Sequence, residues 1–184
     1  HDPDDDELTL NKECYGVPTL DETEGRAYYT CLDGVWCVDM ATGDYVGHYE
    51  MDGQNLGSNV TVGPDAVYVG YPGDSMYSLA KDLSSSNWSY DAGSGFGCTP
   101  ALDSGGNIWF PALGTGREFI GLDSSGAELF TPKIMSSEAV RICSAVIGDS
   151  GSIYYQTSQY KLYAFNPDGT FKWTYFNSLT NNFY

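Results

Sequence analysis

The side chains in this sequence most able to do chemistry are carboxylates that recur in short turn segments. Asp is a frequent turn former because its carboxylate accepts hydrogen bonds from backbone N–H groups close by in sequence. Carboxylates gathered on one face could alternatively hold calcium, but the twelve-residue calcium loop is missing. We therefore predict turn formation and no bound cofactor, with calcium as the alternative. The carboxylates are Asp21, Glu22, Glu24, Asp39, Asp44, Asp65, Asp82, Asp103, Asp123, Asp149 and Asp168.

Cysteine and histidine are too sparse and too scattered for a metal centre. The only histidines are His1 and His48, and no cysteine stands in a CxxC, CxxCH or Cys/His spacing. Zinc and haem sites are not expected. An odd number of cysteines leaves at least one unpaired within the chain, and we predict free, buried cysteines that act as small apolar residues. The five are Cys14, Cys31, Cys37, Cys98 and Cys143.

The charge balance excludes two classes of partner. Eight Lys and Arg against 25 Asp and Glu give the 184-residue chain a formal net charge of −17. Such a surface repels nucleic acid and anionic lipid. No apolar run reaches the roughly 18–20 residues that cross a bilayer. The chain has no initial Met and no signal peptide, so it is expected to be a mature or excised product.

The elements that must position these residues are short strands separated by turn signals. The clearest group is Ser152–Gln156, then Lys161–Phe165, an Asp168-Gly169 turn and a last strand that ends near Tyr175. Alternation of apolar and polar residues between Gly, Asp and Asn turns is typical of an antiparallel meander. The rest of the chain repeats this group, so the fold class is predicted to be all-β.

The register of the repeat can be counted. Equivalent third-strand positions are Trp36, Tyr77, Ile120 and Tyr163, with spacings of 41, 43 and 43 residues. Four strands in a period near 40–45 residues predict a β-propeller with about four blades, either a partial ring or half of a ring closed by a second copy. The predicted segments are an acidic tail at 1–12, blades at 13–52, 53–92, 93–137 and 138–177, and a further blade or closing strand that starts at 178–184.

Two stretches resemble the blades of pyrroloquinoline-quinone-like (PQQ-like) propellers. They are Cys98–Asp103 with Gly106–Trp109, and Leu162–Thr170 with Lys172-Trp173. That family includes quinoprotein dehydrogenases and an outer-membrane assembly scaffold. The resemblance covers about residues 14–176 and implies the propeller fold, whereas fold alone does not imply an activity.

In this family a tryptophan of the fourth strand docks between blades. The resemblance assigns that role to Trp88 and Trp173, with Phe130 as a replacement in the third repeat and Gly47 as a departure in the first. The dehydrogenases are similar to full eight-blade rings with a quinone, a calcium ion and a disulfide between adjacent cysteines. This chain has no adjacent cysteine pair and no match to a quinone pocket, so we predict no catalytic residues and no enzyme.

Strand order separates two faces of the propeller. First-to-second and third-to-fourth turns meet on one face, which collects the carboxylates. The second-to-third loops and the crossovers between blades meet on the opposite face, together with most of the few positive charges, including Lys133. Aromatic side chains with arginines suit a protein or glycan partner. The predicted binding residues on this face are Tyr71, Phe96, Arg117, Arg141 and Tyr160.

The length leaves three arrangements open. The chain is a fragment of a propeller with six to eight blades, or two copies close one ring by twofold symmetry, or four blades close alone. A ring left open would expose blade faces and strand edges. Measuring the mass in solution distinguishes a monomeric fragment from a ring-closing dimer.

The function predicted from these observations is a non-catalytic, extracytoplasmic propeller scaffold that binds a protein or glycan. The alternatives are a fragment of a quinone- or calcium-dependent enzyme and a structural subunit of a surface assembly or filament. Acidity, scarce Lys and abundant Gly, Tyr and Ser motivate the location. A tight hairpin at Asp33-Gly34 would place Cys31 opposite Trp36, which argues against a Cys31–Cys37 bridge.

Overall fold

Each repeat of the sequence folds into one antiparallel sheet of four strands joined in chain order. A computed structural model describes residues 13–14, 16–51, 58–71, 75–93, 98–111, 118–129, 133–134, 144–156 and 161–176. The predicted all-β propeller with about four blades is confirmed, and we call the four sheets blades 1 to 4. The strands are β1 Thr19–Asp21, β2 Arg26–Cys31, β3 Gly34–Asp39 and β4 Tyr45–Glu50 in blade 1; β5 Thr61–Val62, β6 Val67–Tyr71, β7 Ser75–Leu79 and β8 Ser86–Asp91 in blade 2; β9 Ala101–Leu102, β10 Ile108–Pro111, β11 Glu118–Leu122 and β12 Lys133–Ile134 in blade 3; and β13 Val146–Ile147, β14 Ile153–Gln156, β15 Lys161–Phe165 and β16 Phe171–Phe176 in blade 4.

The strand pairing preserves the register counted from the sequence. Trp36 lies opposite Tyr29 in blade 1, and Tyr163 lies opposite Tyr155 in blade 4. Because side chains alternate between the two faces of a strand, each sheet has one face toward the next blade and one toward the preceding blade. We call these the forward face and the rear face.

The hydrophobic core is divided among the junctions between blades. Tyr28 and Val35 of the forward face of blade 1 pack with Val67, Val69 and Leu79 of the rear face of blade 2. Separate clusters with the same arrangement lie between blades 2 and 3 and between blades 3 and 4. Blades therefore stabilise one another mainly through their nearest neighbours, as expected for repeat architectures.

One hairpin differs from its predicted register. In blade 1 Cys31 lies opposite Gly34, not opposite Trp36, so the connecting residues are Leu32 and Asp33. Gly34 has a φ of +138°, and a Cβ there would lie 2.1 Å from the carbonyl oxygen of Tyr49. Gly34 is thus favoured both by its positive φ and by the close approach of β4.

Candidate functional site

A ladder of hydrogen bonds joins the segments that lead into the first strand of each blade. The backbone N–H of Val17 donates to Oδ1 of Asn59 (2.7 Å), and the N–H of Asn59 donates to Oγ1 of Thr99 (3.1 Å). The N–H of Thr99 in turn donates to Oγ of Ser144 (3.1 Å). In every rung the donor lies in the earlier blade and the acceptor side chain lies in the next one, so the ladder runs in one direction. Sequence reasoning missed it, although Asn, Thr and Ser recur there at intervals of 40 and 45 residues.

Further hydroxyl groups reinforce the same junctions. Thr19 donates to the carbonyl oxygen of Val60 (2.8 Å), and Thr61 donates to that of Pro100. Ser58, which is fully buried, donates to the carbonyl of Cys98 (3.1 Å). Buried polar groups need such partners to avoid a desolvation cost. The inner end of each junction therefore consists of hydrogen-bonded polar groups, whereas its middle is apolar.

The fourth strands show how neighbouring blades fit together. Trp88 donates its indole N–H to the carbonyl of Ser124 in blade 3 (2.9 Å), and its ring lies on Gly126, which has a φ of +84°. On its own sheet Trp88 lies 6.0 Å from the ring of Tyr68. The resemblance assigned Trp88 to docking between blades, and the structure places it across the junction of blades 2 and 3.

The junction of blades 1 and 2 uses the reverse pair of residues. Gly47 stands where the tryptophan would be, and a Cβ on it would lie 2.1 Å from the carbonyl oxygen of Asp82. In the facing turn Leu83 takes the left-handed position (φ 59°) that Gly126 occupies in blade 3, and Leu83 is buried. A large residue on one side is thus matched by glycine on the other in both junctions.

Trp173 has the same surroundings as Trp88 on its own sheet, but no blade among the described residues covers it. Its ring lies 6.0 Å from that of Tyr154, and 39% of the residue is exposed. Within the described part of the chain its indole N–H has no acceptor. Phe130, the third residue assigned to docking, lies outside the described residues.

The turns that collect the carboxylates use them to close the turns themselves. Asp39 accepts from the N–H groups of Ala41 and Thr42, and Asp123 accepts from those of Ser125 and Ala127. Asp168 accepts from the N–H and the hydroxyl group of Thr170. These hydrogen bonds hold the pKa values of all three carboxyl groups below the usual value of 3.8.

Asp103 also accepts a hydrogen bond from outside its own turn. It accepts from the N–H groups of Gly105 and Asn107 and, through Oδ2, from the indole of Trp109 (3.0 Å). Burial alone would raise the pKa of Asp103, but the hydrogen bonds from Trp109 and Asn107 outweigh it, so the pKa lies below its usual value. Asp103 therefore links the turn to the buried Trp109 of β10.

An ion cluster connects the turns of blades 1 and 2. Nζ of Lys81 lies 2.8 Å from Oδ2 of Asp21 and 3.2 Å from Oε1 of Glu24, and Glu24 also pairs with Arg26 (3.0 Å). The hydroxyl group of Tyr28 donates to the carbonyl of Lys81 (2.8 Å). The hydrogen bond from Lys81 is the main reason that the pKa of Asp21 is lowered. Burial works against the charge on Lys81, but the bonds to Asp21 and Glu24 raise its pKa.

Replacing Lys81 by methionine is expected to lower the free energy of unfolding by about 2 kcal/mol, the scale of a hydrogen bond to a charged group. The lowered pKa of Asp21 makes its contribution complete above pH 3.8, and that contribution is lost as the pH falls through the folded-state value. The raised pKa of Lys81 makes its contribution complete below pH 10.5, and that contribution is lost as the pH rises through the folded-state value. Urea unfolding of both proteins at several pH values measures this window.

The matched control for this experiment is Lys172→Met, which removes a lysine that donates to Ser152 instead of a carboxylate. A Lys81→Met effect that is the same at pH 2 and pH 7 would contradict the assignment to the ion pair.

Two hollows lie between the turns on the carboxylate-rich face. One, of about 610 Å³, is lined by the first turns of blades 1 and 2 and by Lys81. The other, of about 520 Å³, is lined by Asp65, Tyr68, Ser78, Asn87 and the turns of blade 3. Their linings show that first-to-second and third-to-fourth turns do meet on one face. Within the described part of the chain no three His, Cys, Asp or Glu side chains come together as a metal site.

Only one of the residues predicted to bind a partner lies in the described part of the chain. Tyr71 is half-buried at the end of β6, and its ring meets that of Tyr77 edge-on at 6.3 Å. Tyr77 also lies 6.2 Å from Tyr49 of blade 1. We call Tyr49, Tyr71 and Tyr77 the tyrosine group. The predicted residues Phe96, Arg117, Arg141 and Tyr160 lie outside the described residues, as does the side chain of Lys133.

The cysteines divide into two kinds. Cys14 and Cys31 form a disulfide, so the prediction that these cysteines are free was wrong. The bond joins a residue that precedes β1 to the end of β2, and the spacing of the two cysteines in the sequence gives no signal for this pairing. Cys37 and Cys98 are buried thiols outside any disulfide, as predicted, and burial raises the pKa of the Cys37 thiol. Cys143 lies outside the described residues.

Four meander sheets packed face to face define the chain as a β-propeller. No sequence family matches the chain, and no curated protein does. In the described parts of the chain no helix has the length and apolar character needed to cross a membrane.

Solved structures share this fold at low sequence identity. BamB from Moraxella catarrhalis superposes with a TM-score of 0.70 at 16% identity, over 88% of this chain and 52% of its own. The quinohemoprotein alcohol dehydrogenase from Comamonas testosteroni gives 0.74 at 13% identity, over 90% and 35%. The quinohemoprotein alcohol dehydrogenase ADHIIG from Pseudomonas putida HK5 gives 0.72 at 14%, over 89% and 35%. The chain thus spans about half of the first structure and a third of the others, and the likeness shows the fold alone.

The described residues do not assemble a site for the quinone and calcium that the dehydrogenases imply. Asp39, Asp123 and Asp168 accept hydrogen bonds within their own turns, and the disulfide joins residues 17 apart in sequence, not neighbours. The side chains of Asn59, Thr99 and Ser144 near the inner ends of the blades are neutral, and each accepts a hydrogen bond in the ladder.

Proposed function

We propose that this propeller is a non-catalytic scaffold that binds a protein partner on the face that carries the tyrosine group. The observation that carries the proposal is the grouping of three half-buried tyrosine rings from two blades at the loop end of their junction. Tyrosine presents a large apolar ring with a polar tip and is enriched in protein interfaces. Arg117 and Arg141, predicted for the same face, would add the positive charge that an acidic segment requires.

An extracytoplasmic location is part of the proposal. Its support is the Cys14–Cys31 disulfide, because disulfides form and persist in oxidising compartments and are rare in reducing ones. The likeness of the fold to BamB favours a scaffold, and the likeness to the alcohol dehydrogenases keeps a quinone-dependent enzyme as the alternative. An absorption spectrum and a metal analysis of the purified protein discriminate the two.

Peptides selected from a random display library against the folded protein test the proposed face. Tyr71→Ala, and jointly Arg117→Ala with Arg141→Ala, are expected to weaken the binding of the selected peptides at least about tenfold, as expected for interface anchors. Tyr71→Phe keeps the ring and should retain most of the affinity. Asp65→Asn, on the opposite face, is the control. Peptide binding that survives both sets of substitutions, or that depends on Asp65 instead, contradicts the face assignment. A glycan array probed with the same variants covers a carbohydrate partner.

A further inference from the structure

The forward face of blade 4 carries two tyrosines and a tryptophan at the positions where blade 2 packs two tyrosines and a tryptophan against blade 3. Tyr154, Ala164, Trp173 and Tyr175 occupy the positions of Tyr68, Ser78, Trp88 and Tyr90 in the register of the two sheets. The Tyr–Trp ring pair is 6.0 Å apart in both blades. Trp88 and Tyr90 are half-buried in blade 2, whereas on blade 4 Trp173 is 39% and Tyr175 is 61% exposed. The face is therefore a blade junction of which the described chain supplies one side.

The rear face of blade 1 is the corresponding other side. Leu20, Tyr29, Trp36 and Val38 occupy the positions of Leu102, Phe110, Ile120 and Leu122, which pack against blade 2 from blade 3. Trp36 stacks on His48 at 4.1 Å and on Tyr29 at 6.5 Å, which makes this face aromatic. Leu20 is 52% exposed and Tyr45 is 62% exposed.

The matching of large residues with glycine also holds between these two faces. Trp88 lies on the left-handed Gly126, and Trp173 needs an equivalent glycine turn beneath it. Blade 1 offers Gly43, which has a φ of +76° and no atom within 4 Å of the place where a Cβ would stand. In blade 1 the N–H of Gly43 donates to the carbonyl of Asp39, so this turn is one residue longer than the turn in which the N–H of Gly126 donates to the carbonyl of Asp123.

We propose that the forward face of blade 4 docks onto the rear face of blade 1 of a second copy of this chain, with Trp173 lying on Gly43. Two such contacts related by twofold symmetry join eight sheets in a ring. The proposed contact lacks one hydrogen bond that the internal junctions have. Val17 occupies the position at which Asn59, Thr99 and Ser144 supply the acceptor of the ladder. The contact is accordingly held by apolar packing, and its fourth rung can be added by substitution.

Sedimentation equilibrium of the 184-residue protein in 150 mM NaCl, at concentrations from 1 to 100 μM, tests the proposal. The expected species has twice the 20.0 kDa of one chain. Trp173→Ala should weaken the association at least about thirtyfold, the scale of a buried aromatic anchor. Gly43→Asn should weaken it similarly, because Asn tolerates a left-handed backbone while its side chain occupies the position that Trp173 needs.

Matched controls separate docking from folding. Gly25→Asn changes another left-handed glycine with open space above it, and Phe176→Ala removes an exposed aromatic from the other face of β16. Both should leave the association unchanged, and circular dichroism should show all variants folded. Val17→Thr should tighten the dimer about 25-fold, about fivefold at each of its two contacts, by supplying the acceptor for the N–H of Ser144, whereas Val17→Ala should not.

Salt gives an independent readout. Each chain carries a net charge of −17, so raising NaCl from 50 to 500 mM should strengthen an apolar contact between two copies by screening their repulsion. A protein that is monomeric throughout the concentration range would overturn the proposal and would indicate that a partner of another kind covers the face. A dimer that neither Trp173→Ala nor Gly43→Asn weakens would overturn it as well.

Discussion

Replacing Trp109 by alanine is expected to lower the free energy of unfolding by about 3–5 kcal/mol, the cost of removing a large aromatic from a packed core. Trp109 is fully buried between blades 3 and 4, where its ring stacks on Phe119 at 5.8 Å. Its other side lies on Gly121, so closely that a Cβ there would stand 2.4 Å from the indole ring. The substitution leaves a cavity that the two sheets cannot fill without moving together.

The same substitution also removes a donor from Asp103. Trp109→Phe isolates this part of the effect, because phenylalanine retains most of the ring but not the N–H, and a loss of about 1–2 kcal/mol is expected. Since the pKa of Asp103 is lowered in the folded protein, its contribution is present above pH 3.8 and disappears as the pH falls through the folded-state value.

Urea unfolding followed by circular dichroism measures both variants. Phe176→Ala, which removes an aromatic that is 50% exposed, is the control and should change stability by less than about 1 kcal/mol. Equal effects of Trp109→Ala and Trp109→Phe would show that packing against Phe119 and Gly121 contributes little, contrary to this expectation.

Loss of the Cys14–Cys31 disulfide is expected to cost about 3 kcal/mol, because the bond closes a loop of 17 residues in the unfolded chain. Cys31 is buried at the end of β2, and the N–H of Leu32 next to it donates to the carbonyl of Glu13 (3.0 Å). The bond thus ties the segment before β1 to the sheet of blade 1.

Reduction of the disulfide and substitution of Cys14 should lower the stability by the same amount. A reducing agent should lower the urea midpoint of the natural protein to that of Cys14→Ser, and it should leave Cys14→Ser itself unchanged. Cys37→Ala serves as the comparison, since that thiol is free in the protein. If the reducing agent shifts Cys14→Ser as far as the natural protein, the stabilisation comes from elsewhere.

Most of the fold could be predicted from the sequence because each strand position recurs at a nearly fixed interval. Trp36, Tyr77, Ile120 and Tyr163 occupy equivalent positions in the four sheets, as the count of 41, 43 and 43 residues indicated. Polar turns with Asp and Gly separate the strands, and their side chains are used as turn chemistry predicts. Local periodicity and local turns suffice for such a repeat.

What could not be predicted depends on contacts between blades. Leu83 takes a left-handed conformation because it fills the space that Gly47 leaves in the preceding blade. The sequence of Ala80–Ser84 contains no local signal that predicts this conformation. The Cys14–Cys31 bond depends on where the segment before β1 lies. The proposed binding face was predicted from loop residues, and of these the described structure places Tyr71 alone.

The one-way direction of the ladder has a consequence for how such a chain can change in length. Within the ladder, blades 1 to 3 each give a backbone N–H to the next blade and accept none from it, so the rungs at Asn59, Thr99 and Ser144 are mutually independent. Duplication or deletion of a whole unit leaves every remaining rung with its partner, provided that the incoming unit brings Asn, Thr or Ser at that position. Gene duplication can therefore vary the number of units, and the ladder requires only a single polar residue in each unit.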